Sequence, residues 1–405
     1  MTIALLAALS PLATAMYLPA LPAMAVDLTA DARTLQLTVT AFMVGLAVGQ
    51  LIIGPLSDRT GRRSLLIAGA GACVVASAAC ALAPSIQILI FARLLQGLSG
   101  AAGIVLGRAI IADTVRGNAA ARAFSLLMSI GAIAPVIAPL IGSAIAEASG
   151  WRGVFAALLV CAIAMLLGSV VFLPETLHVS RRRAARLRTT VREAVRVILH
   201  RRFAGYAVVL VFSYASLIAY VSASPFVLQI GYGLAPGAYA LAFAANAAGL
   251  TLASFANARL VRRFSPRRLL AVGLTGELGV ASGILVAAIT ATLNLGILLV
   301  LLWAAVACLG LVMGNATSLA MDQVSRSAGS GSALLGAAQF ALAAIVAPLA
   351  SVGVSGSPLA MAGIMTVCAG IAAITFVMTT CATRWSKRSP ATRAREEARE
   401  PLSED

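Results

Sequence analysis

Arg93 stands about eight residues into an apolar run spanning 86–107. A guanidinium is costly in hydrocarbon, so its side chain must face protein or water rather than lipid. Gln96 follows three residues later, near the same face of a helix. Glu277 is the one acid near the middle of an apolar run, about nine residues into 269–290. At about 1.5 Å per residue that places it close to mid-membrane. An ionisable group at such depth is a functional candidate by default, which singles out Arg93, with Gln96 beside it, and Glu277. Other reactive chemistry is missing. His178 and His200 both fall in an arginine-rich loop, and the six cysteines lie in apolar runs with no C-x-x-C. No His/Cys/carboxylate cluster, phosphate-binding G-x-x-x-x-G-K-[ST] or G-x-S-x-G elbow is present. The chain is therefore expected to have no catalytic residue, metal or cofactor, and not to be an enzyme.

The elements that hold these residues follow from composition. Hydrophobic residues make up 60% of 405, charged ones 11%, against about 25% charged in soluble domains. Mean hydropathy is +0.98. A soluble fold could not cover so much apolar surface, and disorder needs the opposite balance. Twelve runs are long enough to cross a bilayer: roughly 2–24, 36–56, 65–83, 86–107, 123–146, 153–173, 203–226, 238–256, 269–290, 294–318, 331–352 and 359–383. Each must be helical, because lipid offers no partner to a bare N–H or C=O. The fold class is an all-α membrane protein.

The formal charge of +16 is explained by topology. Of 30 Lys and Arg, 27 lie on the side holding the even-numbered loops and both ends; Arg33 and Arg152 lie opposite, and Arg93 lies within a run. The positive-inside rule puts the even side, with both termini, in the cytoplasm. Nucleic acid is an unnecessary partner; the basic residues set orientation and meet anionic lipid. A cleaved signal is disfavoured, since the first run lacks a basic lead and is needed for the charge parity. With no charged lead before that run, a longer natural N-terminus also fits.

The chain divides into a six-helix bundle over 1–175, a basic cytoplasmic linker over 176–202, a second bundle over 203–384 and a tail over 385–405. Leu187, Val191, Val195, Ile198 and Leu199 recur at helical spacing in the linker. They fit either an amphipathic helix on the inner leaflet or a solvated connector. Residues 58–69 (DRTGRRSLLIAG) and 262–273 (RRFSPRRLLAVG) occupy the same place in each half, about 204 positions apart. They mark two parallel six-helix repeats, an arrangement that places a substrate site between the halves.

Three motifs are more specific than hydropathy. In the loop Gly54-Pro55-Leu56-Ser57-Asp58-Arg59-Thr60-Gly61-Arg62-Arg63, Gly54, Pro55 and Gly61 are expected to make tight turns. Asp58 is expected to favour the N-terminus of the third span. The fourth span carries Arg93-Leu94-Leu95-Gln96-Gly97, and the fifth Gly131, Pro135, Pro139 and Gly142. The prolines bend one face of that helix and the glycines leave room for a neighbour. These resemble motifs A, B and C of the major facilitator superfamily. Met16-Tyr17-Leu18-Pro19, Gly150-Trp151-Arg152 and Pro174-Glu175-Thr176-Leu177 further resemble its Bcr/CflA drug-resistance subfamily.

The resemblance implies the major facilitator fold, with twelve transmembrane helices in two parallel repeats and a monomer as the unit. It implies residence in the bacterial cytoplasmic membrane and export of small drug-like compounds against protons, with the proton gradient in place of a cofactor. Motif A residues Gly54, Asp58, Arg59, Gly61, Arg62 and Arg63 would act as a gating latch, the arginine of motif B is linked to proton transfer, making Arg93, Gln96 and Glu277 the proton-coupling candidates, and motif C is associated with antiporters. Polar and aromatic residues on cavity-facing helices become substrate candidates: Tyr17, Thr40, Met128, Tyr214, Tyr220, Asn246, Asn315 and Gln339. None is acidic, which favours a neutral or zwitterionic substrate. Relatives commonly carry an acid before the Met-Tyr-Leu-Pro run, where this chain has Ala15. The resemblance also puts helix nine, with Glu277, at the periphery. A non-transporting receptor of the same fold and an importer of a small metabolite are the alternatives.

Overall fold

The structure is a computed structural model that describes residues 2–115, 117–177, 192, 195–350 and 356–388. The linker residues Leu187 and Val191, and the tail beyond 388, lie outside the described residues. The first half contains α1 (Thr2–Ala15), α2 (Leu21–Asp27), α3 (Ala32–Thr60), α4 (Arg62–Ala81), α5 (Ile86–Thr114) and α6 (Gly117–Phe172). The second contains α7 (Arg201–Pro225), α8 (Pro236–Leu260), α9 (Pro266–Ile289), α10 (Leu295–Met321), α11 (Ala328–Leu349) and α12 (Leu359–Arg388). No strand occurs among the described residues. Eleven helical stretches are long and apolar enough to cross a membrane. The longest of them breaks at Gly150, whose φ of 72° leaves helical geometry, so it crosses twice.

The first span is not the continuous helix expected over 2–24. Pro19 and Pro22 cannot donate to a helical ladder. The chain leaves α1 at Ala15, makes a tight 3-10 turn over Leu18–Ala20 and resumes as α2. Helix starts follow their caps. Asp31 accepts the Thr34 N–H at 2.9 Å, and Asn294 accepts that of Ile297 at 2.9 Å. The Thr34 hydrogen bond holds the Asp31 carboxyl below the usual carboxylate range. Its capping contribution is therefore present at neutral pH and is lost as pH falls through that lowered value.

Packing between spans depends on small residues, as expected where apolar burial gives no preference for helix over lipid. In the first half α3 crosses α5. A side chain at Gly45 would strike the Leu94 carbonyl, and one at Gly97 the Phe42 carbonyl. In the second half Gly310 of α10 plays the same part against α8, where a Cβ would meet the Leu250 carbonyl at 2.7 Å. Gly69 on α4 faces α5, and Gly273 on α9, 204 positions later, faces α10. The duplication read from 58–69 and 262–273 thus extends to how the helices fit together.

The two halves meet where α3 lies against α11 and where α6 lies against α8. Beyond Val195, Ile198 and Leu199, which are exposed, Val197 is buried against Phe203 and Tyr206 at the root of α7. Replacing Gly97 by Val should force α3 from α5 and cost about 3 kcal/mol, the upper range for overpacking a tight contact. Thermal unfolding of the purified chain in detergent checks this; an unchanged midpoint would contradict the close approach.

Candidate functional site

Arg93 is fully buried. Its Nη1 donates to the Ala13 carbonyl at 3.0 Å and to Gln96 Oε1 at 2.7 Å, and Gln96 Nε2 donates to Ser77 Oγ at 2.9 Å. The Ala13 carbonyl is available because α1 stops at Ala15, and the last carbonyls of a helix have no helical donor. The proline-driven break in the first span therefore creates an acceptor for the arginine. Rings close on the guanidinium: its Cζ lies 4.3 Å from the Phe42 centroid, 4.5 Å from Tyr17 and 5.9 Å from Phe155. Such contacts contribute more when desolvated, to about 2 kcal/mol each.

Tyr17 carries the cluster toward the second half. The Thr38 hydroxyl donates to the Leu35 carbonyl at 2.6 Å, so in the 3.4 Å pair with Tyr17 the tyrosine is the donor. Across the interface, Tyr220 accepts from Asn246 Nδ2 at 2.7 Å and stacks on Phe243 at 5.7 Å. Tyr239 pairs with Ser224 at 3.2 Å and lies within electrostatic reach of both Tyr220 and Tyr17. Three buried tyrosines from two halves thus share one region with Arg93. Nearby, Gln36 Nε2 donates to the Ser222 carbonyl, Gln229 to that of Pro19 and Thr40 to that of Ala344. These tie the halves together toward the arginine-poor face. An open cleft of about 510 Å³ on that face is lined by Asp27, Glu147, Trp151, Arg152 and Pro236, among others. Asp27 there takes hydrogen bonds from Trp151 at 2.9 Å and Arg152 at 2.6 Å.

Not every expected substrate contact joins this cluster. Tyr17, Tyr220 and Asn246 do, and Thr40 lies at the interface beside it. Asn315 instead binds Asn257 Oδ1 at 2.7 Å and the Leu311 carbonyl, joining α10 to α8. Tyr214 meets Phe340 edge-on at 5.7 Å within the second half, next in sequence to Gln339. Met128 is half exposed on α6, away from the contacts above. The residues missed from sequence are Phe42, Phe155, Phe243, Tyr239, Thr38, Ser77 and Ser224. A phenylalanine in an apolar run looks like ordinary core, and only the fold brings these seven together.

Glu277 is also fully buried. It points into the second bundle rather than toward lipid, beside Ser213 and Ser216 of α7 and near Cys308 of α10 and Cys368 of α12. A place on a peripheral helix is thus no bar to an interior side chain.

The 54–63 segment departs from expectation. Gly54 and Pro55 lie inside α3, which continues to Thr60, and only Gly61 makes the turn, at φ 99°. Asp58 is consequently in the last turn of α3, not ahead of α4, and pairs with Arg62 at 2.7 Å. The carboxylate at the α4 N-terminus is Glu175, which accepts the N–H of Arg62 at 2.9 Å and of Arg63 at 3.3 Å. A helix N-terminus favours such an anion. Arg62 also bonds Asp113 at 3.2 Å and Ser57, while Arg63 reaches the Val170 and Leu173 carbonyls. Arg59 is exposed. Every partner named here belongs to the first half. In α6, a side chain at Gly142 would run into the Met16 carbonyl, so this glycine seats the turn that carries Tyr17. Gly131 has no such neighbour within 4 Å, so only one of the two glycines serves close packing.

The sequence matches the Major Facilitator Superfamily over residues 3–348. The chain belongs to that superfamily. It is a multi-pass transporter rather than an enzyme. It is 36% identical to the "Uncharacterized MFS-type transporter YdgK" of Bacillus subtilis (strain 168) over 92% of both chains. It is 32% identical to "Multidrug resistance protein MdtL" of Escherichia coli (strain K12 / DH10B) over 82% of both. Among solved structures it superposes on a bacterial homologue of the human lysosomal transporter Spinster. The TM-score is 0.73 at 17% identity, covering 96% of this chain and 98% of that one. The xylose transporter XylE from E. coli gives 0.71 at 16%, covering 92% and 96%. In this facilitator the arginine–glutamine pair is a test of the site's energetics. Gln96→Leu removes a charge-assisted bond from buried Arg93 and should lower stability by about 2 kcal/mol. Thermal unfolding reads the loss, and an unchanged midpoint would show that the bond is not made.

Proposed function

We propose that the chain exports small drug-like compounds from the cytoplasm in exchange for protons, as a member of the Bcr/CflA group in a bacterial inner membrane. Both termini and the arginine-rich face are cytoplasmic in this reading, as the charge asymmetry requires. The observation that carries it is the buried aromatic cluster shared by the two halves around Arg93, with Tyr17 on one side and Tyr220 and Tyr239 on the other. Stacking faces with a few fixed polar groups suit flat organic molecules of varied shape. The name of the relative MdtL agrees with such a substrate class.

Alternating access explains the rest of the geometry. Gln36, Gln229 and Thr40 tie the halves toward the periplasmic face. The cytoplasmic 58–63 loop is bonded within its own half. In the inward-facing state of that cycle, substrate would enter the cluster from the arginine-rich side. Glu277 carries the proton in the second half: taking up or releasing one changes the charge inside that bundle by one unit, enough to bias two states. Arg93 and Gln96 complete the coupling network in the first half. The transporter works as a monomer, and the proton gradient replaces any cofactor.

The test is retention of a drug panel by cells expressing the chain, with and without an uncoupler. Expression should lower retention of at least one compound, the uncoupler should restore it, and Glu277→Gln should remove the uncoupler-sensitive part while leaving the protein in the membrane. Unchanged retention across a broad panel would sink the export reading. An active Glu277→Gln variant would sink the proton role of that residue.

A further inference from the structure

Arg93 presents an unbalanced edge. Of its three nitrogens only Nη1 is hydrogen-bonded; Nε and Nη2 are buried and have no partner among the described residues. Nor does a carboxylate balance its charge. The ion pairs found among the described residues join Arg62 to Asp58 and Asp113, and Arg152 to Asp27. On the span turn that faces Arg93 the chain carries Ala13, Ala15 and Met16, all buried and all apolar. A buried cation without a counter-charge is among the most expensive features a protein interior can hold.

The free atoms are not arbitrary. Nε–H and the adjacent Nη2–H point the same way in the guanidinium plane, forming the fork that takes the two oxygens of one carboxylate. The opposite end is pinned by Ala13 and Gln96, and Gln96 is itself held by Ser77. Two rings pack on the guanidinium, with the Phe42 and Tyr17 centroids within 4.5 Å of Cζ. With Nη1 taken, the Nε–Nη2 edge is the part of the guanidinium left to pair with a ligand. The second half reaches this region through Tyr239, which lies within electrostatic reach of Tyr17 and packs against Phe243.

We propose that Arg93 is the carboxylate-recognising residue of the transported compound, which is a small planar organic acid or the acid end of a zwitterion. The carboxylate takes the Nε–Nη2 fork and supplies the missing counter-charge, while its planar body occupies the tyrosine cluster. This deepens the export reading by assigning the charge class of its substrate.

The test uses the full chain, purified in detergent, and a matched pair of probes: 2-naphthoate and its neutral amide, 2-naphthamide. Direct titration gives both affinities. The wild type should prefer the acid by about tenfold or more, as expected for a desolvated bidentate pair. Arg93→Lys keeps a cation but lacks the fork and should lose most of that preference. Arg93→Gln should abolish it. Equal wild-type affinities, or a full preference in Arg93→Lys, overturn the proposal. The wild-type comparison stands even if a variant does not fold. Because no gradient or cell is involved, acid preference without efflux would sink the export reading alone, and efflux without acid preference would sink this inference alone.

Discussion

The organisation of the first half depends on one constraint: a permanent positive charge enclosed among apolar helices. Arg93 cannot shed its proton and cannot reach either water layer from its depth. Its surroundings are explained by that. Proline in the first span ends α1 early and frees the Ala13 carbonyl. Gly97 lets α3 approach so that Phe42 packs on the guanidinium, and Gly142 seats the turn that brings Tyr17 to it. Gln96 and Ser77 hold the remaining geometry. Each of these residues is small, kinked or polar in a membrane helix, and each would be a weakness without the arginine.

The second half has the reverse arrangement. Its buried ionisable group is an acid, Glu277, which can change charge where Arg93 cannot. One half therefore holds a fixed cation at the interface cluster and the other a variable anion within its own bundle. The duplicated backbone, visible in the packing of Gly69 and Gly273, carries opposite electrostatics in its two copies. Under the proposed exchange only the second half responds to the proton, and the gradient sets the direction.

Much of this was legible in the chain itself. Bilayer thickness forces runs of fixed length, so the twelve crossings and the arginine-rich face stand out from composition. Arg93 and Glu277 stand out because charges in such runs are rare. Other features depend on distant partners. Glu175 caps α4 from 113 residues away, whereas Asp58, nearer in sequence, stays in α3, which continues through Pro55. The break after Ala15 was within reach, since Pro19 and Pro22 announce it, yet the hydrophobic run masked it. Phe42, Phe155, Phe243 and Tyr239 carry no local signal at all. An aromatic residue in an apolar helix faces lipid, core or substrate with the same sequence, and only packing decides among them.

If the cluster around Arg93 is the pivot of a rocking pair of bundles, the two faces must open in opposition. The direct measurement is spin-label distances in a cysteine-replaced chain, between Ser149 and Ala235 on the arginine-poor face and between Thr60 and Asp322 on the other. Lowering the pH on reconstituted protein should lengthen one distance distribution while shortening the other. Distances that change together, or that do not respond to pH at all, would contradict a proton-driven alternation about this site.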